Sequence, residues 1–252
     1  MLAELSAVII TRNAAATLAR TLDALKDVDE VVVYDNGSTD GTLELAVRYA
    51  NVSLHQGEFY GFGPTKRHAV SLAQHDWVVS LDADEAPNAA WLDALAGWLP
   101  TADPLQVVEV HRENWMLGKP VRHAGWGNDW LVRVFHRHEH NFSEAMVHES
   151  VTLGKATRVA RLDGCLEHLA VIELAQLLDK INRYSEIRAR SDTLRVYPVA
   201  LIVLKTAFAF FRTYLLQRGF LDGWRGLVIA VSNANGVFWK YMKRRIRHLT
   251  AP

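Results

Sequence analysis

The stretch Trp77-Val78-Val79-Ser80-Leu81-Asp82-Ala83-Asp84-Glu85 decides the fold class. A nearly unbroken apolar run ends in three carboxylates, which is how a strand covered on both faces reads when its carboxyl end is open to ligand. Working outward, Leu5 to Thr11, Glu30 to Asp35 and Val52 to Gln56 also read as strands. Between them Leu18, Leu22 and Leu25 share one helical face. Leu43, Ala46 and Val47 do the same after the turn Gly37-Ser38-Thr39-Asp40-Gly41, and Trp91, Leu92, Leu95, Trp98 and Leu99 after Pro87. The βαβαβαβ order predicts an α/β fold, an open and mostly parallel sheet with helices on both faces.

Past Leu105 the pattern changes. Short β-like pieces such as Val107 to His111 and Leu131 to Phe135 predict mixed β structure up to Leu153. After Leu169, Ile172 to Leu194, Val199 to Gln217 and Asp222 to Arg247 read as three helices, broken at Tyr197-Pro198 and at Gly219. The expected organisation is a catalytic domain over residues 1–168 and a helical extension over 169–252.

With 252 residues, half of them apolar, the chain can bury a sizeable core, which excludes disordered and collagen-like classes. Its 28 Lys and Arg balance 28 Asp and Glu, so net charge announces no nucleic-acid partner. The distribution is uneven: from Lys180 onward there are 14 basic and 3 acidic residues. Cys165 is the only cysteine, so an internal disulfide is impossible and a reducing, cytoplasmic compartment fits. Met1 to Thr11 lacks a basic leader region and does not read as a signal peptide. Val196 to Leu216 is apolar but carries Lys205 and Arg212, and no segment is expected to meet the roughly 20-residue demand of a membrane span.

In an open α/β sheet, ligands bind outside the carboxyl ends of the strands. Those ends are Thr11-Arg12-Asn13, Asp35-Asn36-Gly37-Ser38-Thr39-Asp40 and Asp82-Ala83-Asp84-Glu85. In extended backbone Asp82 and Asp84 share a face, and two hard carboxylates beside a phosphate suit Mg²⁺ or Mn²⁺. The plainer alternative is a solvated turn in which Asp84 or Asn88 caps the next helix. Asp35 could accept hydrogen bonds from a ribose or base, while Gly37 and Asp40 read as structural. No GxGxxG or GxxxxGK[ST] occurs, which removes the main support for dinucleotide and P-loop readings.

These strand ends, with Gly61-Phe62-Gly63 and Lys66, resemble the family 2, GT-A fold glycosyltransferases. His123-Ala124-Gly125-Trp126 with Asp129, Arg133-Val134-Phe135, Val147-His148-Glu149-Ser150, Lys180 to Ser185 and Arg218-Gly219-Phe220-Leu221-Asp222-Gly223 look like the WaaE/KdtX group of lipopolysaccharide-core β-glucosyltransferases. The resemblance covers nearly the whole chain. It implies a nucleotide-sugar donor, UDP-glucose, with Thr11, Asn13 and Asp35 around the nucleoside and Lys66 near the pyrophosphate. Asp82 and Asp84 would take the ribose and a divalent cation. Two departures stand out: Ala14 where the family often has Glu, and Arg67 where it often has Asn.

An inverting transfer needs one base to take the acceptor proton, while a metal supports the departing diphosphate. Glu149 is the first candidate, at the place where related enzymes carry an acidic pair, and Asp129 is the second. A surface carboxylate and a turn cap are the plainer readings of the two. Trp126 and Trp130 could stack on a sugar or simply edge the core. His136, His138 and His140 would share one face of a strand, but an edge strand explains them without a metal. Leu201, Leu204, Phe208, Phe211 and Leu215 recur at helical spacing. With Lys243, Arg244, Arg245 and Arg247 they suggest a peripheral helix on an anionic membrane surface, at the inner face of the cytoplasmic membrane, rather than one packed on the catalytic domain. The expected partners are a nucleotide-sugar donor, a lipid-linked saccharide acceptor and that membrane surface. A sugar-nucleotide pyrophosphorylase and an inactive saccharide-binding module are the competing readings. The first would be expected to carry a Gly-rich loop at Thr11 to Ala16, which has no glycine.

Overall fold

Strand β1 (Leu2–Thr11) shows why the first strands are apolar throughout. Leu5, Ala7 and Ile9 face one buried cluster with Leu18, Leu22, Trp91 and Leu95, whereas Val8 faces the other with Val32, Tyr34, Val70 and Val78. A period of two thus divides each strand between two covered faces. The computed structural model describes residues 2–146, 149–191 and 193–250. The chain divides into two units, Met1–Arg112 with Asp129–Leu169, and Glu113–Asn128 with Ala170–Pro252. Glu113–Asn128 therefore goes with the helices, although the linear reading groups it with the first domain.

In the first unit the order is β1, α1 (Leu18–Ala24), β2 (Val28–Asp35), α2 (Thr42–Ala46), β3 (Val52–Gln56), α3 (Phe62–Ser71), β4 (Trp77–Asp82), β5 (Glu85–Pro87) and α4 (Ala89–Trp98). After these come β6 (Gln106–Met116), β7 (Lys119–Pro120), β8 (Trp130–His136), β9 (Arg158–Arg161) and β10 (Leu166–Val171), of which β7 belongs to the second unit and β6 and β10 run on into it. The sheet order is β3-β2-β1-β4-β8-β6-β10-β5. Strands β1 to β4 pair in parallel, and β8 is antiparallel to both β4 and β6. The strand order therefore reverses at β1 and β4, where the Thr11 and Asp82 ends lie side by side. The α/β reading and the four strands match the structure. Helix α3 went unread because Gly61, Gly63 and Pro64 mask its apolar period.

Asn88 caps α4, its side chain accepting from the Trp91 N–H at 3.0 Å. The three histidines do not share a strand face: β8 ends at His136, and His138 and His140 fall in the turn beyond it. That strand is interior rather than an edge, which corrects the edge-strand explanation.

The second unit contains α5 (Leu174–Arg190), α6 (Val199–Phe211) running into a π turn at Arg212–Leu216, and α7 (Trp224–Thr250). The breaks at Pro198 and Gly219 fall where the sequence places them. Gly226 is required because a Cβ there would stand 1.7 Å from the Gly219 carbonyl oxygen, so the two backbones touch. In the same motif Asp222 accepts from the His123 N–H at 2.9 Å. The Arg218 to Gly223 segment is therefore a structural clasp within this unit.

Two expectations about the helices change. Val199–Leu216 forms 18 continuous helical residues, long and apolar enough by length and composition to cross a membrane, because two charges spread over five turns do not offset the rest. Lys243, Arg244, Arg245 and Arg247 are not a free basic patch. Lys243 donates to Asn182 Oδ1 (2.8 Å) and Ser185 Oγ (2.9 Å), Arg244 to the Leu194 carbonyl, Arg245 to the Tyr197 carbonyl, and Arg247 pairs with Glu186. These four residues tie α7 to α5 and to the strand-free segment that follows it.

Candidate active site

The carboxyl ends of β1 and β2 are stitched together by the residues read as nucleoside contacts. Asn13 has a left-handed backbone (φ 52°), its Oδ1 accepts from the Thr39 N–H at 2.7 Å, and its own N–H donates to Ser38 Oγ at 2.8 Å. Asp35 is fully buried, and its carboxylate accepts from the N–H groups of Gly37 (2.9 Å) and Ser38 (2.8 Å) and from the Ser38 hydroxyl. A short polar side chain that bonds its own following backbone makes a tight turn. Asp35 thus builds the loop rather than presenting a free carboxylate. Thr11 is buried, and its Oγ1 meets no hydrogen-bond partner among the described residues.

At the end of β4 a line of alternating charges runs through the first unit. Glu149 Oε1 lies 2.8 Å from Lys66 Nζ, which lies 2.8 Å from Asp82 Oδ1. Asp82 Oδ2 accepts from Arg133 at 2.9 Å, and Arg133 donates to Glu85 at 2.5 Å. Glu85 accepts from Arg112 at 3.1 Å, and Arg112 closes the line on Asp129 at 2.8 Å. Lys66 and Arg133 are nearly sealed from solvent, with 4% and 5% of their side chains exposed, and Glu85 is wholly buried. Charges so placed are tolerable only because each has a close partner of opposite sign.

The electrostatics follow from that pairing. Burial alone would raise the Asp82 carboxyl, but Lys66 and Arg133 outweigh it and hold the group well below the usual carboxylate range. Burial would likewise strip the proton from Lys66; Asp82 and Glu149 reverse the sign and hold its affinity above that of a free lysine. Lys66 is therefore an internal cation between two carboxylates at the end of β4.

Sequence reasoning brought Lys66, Asp82, Glu149 and Asp129 to this unit, and the fold joins all four through Glu85, Arg112 and Arg133, to which it assigned no role. A readable signal existed for Arg133, a guanidinium in the otherwise apolar run Leu131 to Phe135. Trp126 lies in the second unit, where it lines a cleft between α5 and α7. Trp130 carries the Arg161 guanidinium over its ring at 4.4 Å. Val147 and His148, the start of the Val-His-Glu motif, lie outside the described residues.

The same geometry tests a divalent cation. Both Asp82 oxygens are engaged by cations, whereas Asp84 is more than a third exposed, with His168 Nε2 at 3.4 Å. Among the described residues no group of three or more His, Cys, Asp or Glu is poised to hold a metal. This donor set fits an ion held by one carboxylate, phosphate oxygens and water, as Mg²⁺ commonly is. It does not fit a pair of equally free carboxylates.

The paired charges lie at the carboxyl end of β4 on an open α/β sheet, the edge at which such sheets bind ligands. The chain belongs to glycosyl transferase family 2, whose family model matches residues 6–152, and its mixed sheet with a helical C-terminal region is the expected GT-A arrangement. It is 27% identical over 259 residues to an uncharacterized glycosyltransferase of Rickettsia felis, covering 96% of this chain and 89% of that one. It is 25% identical over 254 residues to the lipopolysaccharide core biosynthesis glycosyltransferase LpsC of Rhizobium meliloti, covering 97% and 93%. Among solved structures, S. aureus TarS 1-349 in complex with UDP aligns over 98% of this chain and 92% of that one, with a TM-score of 0.48 and 15% identity.

Proposed function

We propose that this protein is an inverting hexosyltransferase. It would move glucose from UDP-glucose onto a lipid-linked saccharide of the lipopolysaccharide inner-core kind, at the inner surface of the cytoplasmic membrane. The observation that carries the lipid-linked acceptor is the solvent-facing apolar side of α6 and its π turn: Leu204 is 64% exposed, Phe208 57%, Phe211 45% and Leu215 47%. Such a face on a basic unit suits an interfacial helix, since burying it in lipid removes the apolar area from water. The name of the Rhizobium meliloti relative supports the same acceptor class.

In this reading Glu149 is the base. Its Oε1 is anchored by Lys66, and Oε2 has no partner among the described residues and can take the acceptor hydroxyl proton as the oxygen attacks the anomeric carbon. The attacked bond to the diphosphate breaks as the new glycosidic bond forms, and a single displacement inverts the anomeric centre. Asp84 would hold Mg²⁺ or Mn²⁺ against the diphosphate, and the bound cation would supply charge stabilisation to the leaving group. Asn13 and Asp35 shape the loop on which the nucleoside rests. Asp129 is the alternative base, held at the far end of the ion-pair line by Arg112. Membership of glycosyl transferase family 2 supports glycosyl transfer over the pyrophosphorylase reading.

The test is a donor screen with and without Mn²⁺ or Mg²⁺, reading nucleotide release and sugar transfer to de-glycosylated lipid A core. Transfer from UDP-glucose only with metal and lipid acceptor is expected. Transfer from another donor, or to a soluble sugar with equal efficiency, overturns the corresponding part of the proposal.

A further inference from the structure

Within the second unit, α5 and α7 do not close on each other along their whole length. They leave a cleft of about 330 Å³, floored by Leu177 and Ile181 of α5, Ile229 and Val237 of α7, and Trp126. Gly236 lines it, and a Cβ there would meet nothing within 4 Å.

The rim has one sign of charge. Lys180, Arg188 and Lys240 line the cleft, and none of its lining residues is acidic. Among the described residues no carboxylate pairs with any of the three, whereas one and two turns beyond Lys240 on α7, Lys243 and Arg247 both reach Glu186. The proton affinity of Lys240 is lowered first by burial and then by the like charges of Arg188 and Lys205. The fold thus neutralises the basic residues that knit α5 to α7 and leaves uncompensated those that surround the apolar floor. An anion is the missing element, and an acyl chain is what the floor would cover.

We infer that this cleft binds one molecule of an anionic phospholipid, its phosphate between Lys180, Arg188 and Lys240 and an acyl chain along Leu177, Ile181, Ile229 and Val237. The volume lies in the range of about 300–1,000 Å³ usual for small-ligand sites. The site would hold the second unit to a specific lipid, beyond the general attraction of its exposed apolar face. This inference rests on the membrane reading above, and the experiment is chosen so that the two can fail separately.

The full-length protein is titrated by calorimetry with short-chain phosphatidylglycerol below its critical micelle concentration, with short-chain phosphatidylcholine, and with inorganic phosphate. One-to-one binding of phosphatidylglycerol, much tighter than of the other two, is expected. Arg188→Gln and Lys240→Gln should each weaken it by about tenfold or more, the usual worth of a charge-assisted hydrogen bond. Gly236→Leu, which fills the cleft from an open position, should abolish it while the melting temperature stays near wild type. Equal affinity for phosphatidylcholine, phosphate binding as tight as lipid binding, or unchanged binding by Gly236→Leu each overturns the proposal. Separately, vesicles containing phosphatidylglycerol report on membrane docking. If they bind wild type and Gly236→Leu alike while the short-chain lipid binds neither, the cleft fails and the membrane reading stands. If the short-chain lipid binds and vesicles do not, the reverse holds.

Discussion

Lys66 Nζ lies 2.8 Å from Glu149 Oε1, and the same ammonium lies 2.8 Å from Asp82. One sealed cation therefore links the candidate base to the end of β4. Removing it leaves Glu149 without its cation and Asp82 with Arg133 alone. Breaking a buried ion pair by deleting one partner costs about 3–5 kcal/mol. Lys66→Met should lower the melting temperature by many degrees and bind donor poorly; a melting curve superimposable on wild type would contradict the pairing.

Acid should weaken the fold through Asp82. Its carboxyl is held well below its ordinary value in the folded state, so its contribution is present above the unfolded value of about 3.9 and is lost as pH falls through the folded one. Lys66 has the opposite sign: its contribution holds below its unfolded value of about 10.4 and fades as pH rises through the higher folded one. Urea midpoints measured from pH 7 to pH 3 should fall, with a shallower slope in Asp82→Asn. A parallel slope in the variant assigns the acid sensitivity elsewhere.

Asp84→Asn should abolish transfer and leave the melting temperature unchanged, because Asp84 is partly exposed and lies at a strand end outside the buried ion-pair line. Excess EDTA should do the same to the wild type, and Mn²⁺ should restore it. Full activity in EDTA removes the cation from the mechanism.

The base is decided by two matched substitutions. Glu149→Gln keeps shape and removes basicity, so kcat should drop by about 10² to 10⁴ while donor affinity holds. Asp129→Asn should act on stability, through the loss of its pairing with Arg112, more than on kcat. Near-normal turnover by Glu149→Gln beside a folded, donor-binding and inactive Asp129→Asn would make Asp129 the base.

Membrane docking should depend on the exposed apolar side chains more than on the basic residues near the end of α7. Each large apolar side chain buried in lipid is worth about 1.5–3 kcal/mol, so Phe208→Ser and Phe211→Ser should each weaken vesicle binding about tenfold or more without unfolding the protein. Lys243→Ala and Arg247→Ala should instead lower the melting temperature, since both hold α5. Unaltered vesicle affinity of the double Phe208→Ser, Phe211→Ser variant would falsify the interfacial role of α6.

What the sequence determined by itself was everything with a local signature. The strands ending at Thr11, Asp35 and Asp82 were legible because burial on both faces forces continuous apolar runs, and the helices broken at Pro198 and Gly219 because backbone chemistry stops them there. The polarity of the strand ends was legible too, so Asp35, Asp82 and Asp84 could be singled out, whereas Glu149 and Asp129 came from the resemblance to a family. Which partner each charge takes depends on residues far apart in the chain, and only the tertiary structure decided it. Lys66 meets Glu149 across 83 positions and Arg133 meets Asp82 across 51. The same holds for Lys243 and Arg247: a run of basic residues reads identically whether it faces lipid or a glutamate on a neighbouring helix, because charge pairing is set by proximity in space and leaves no periodicity in the chain.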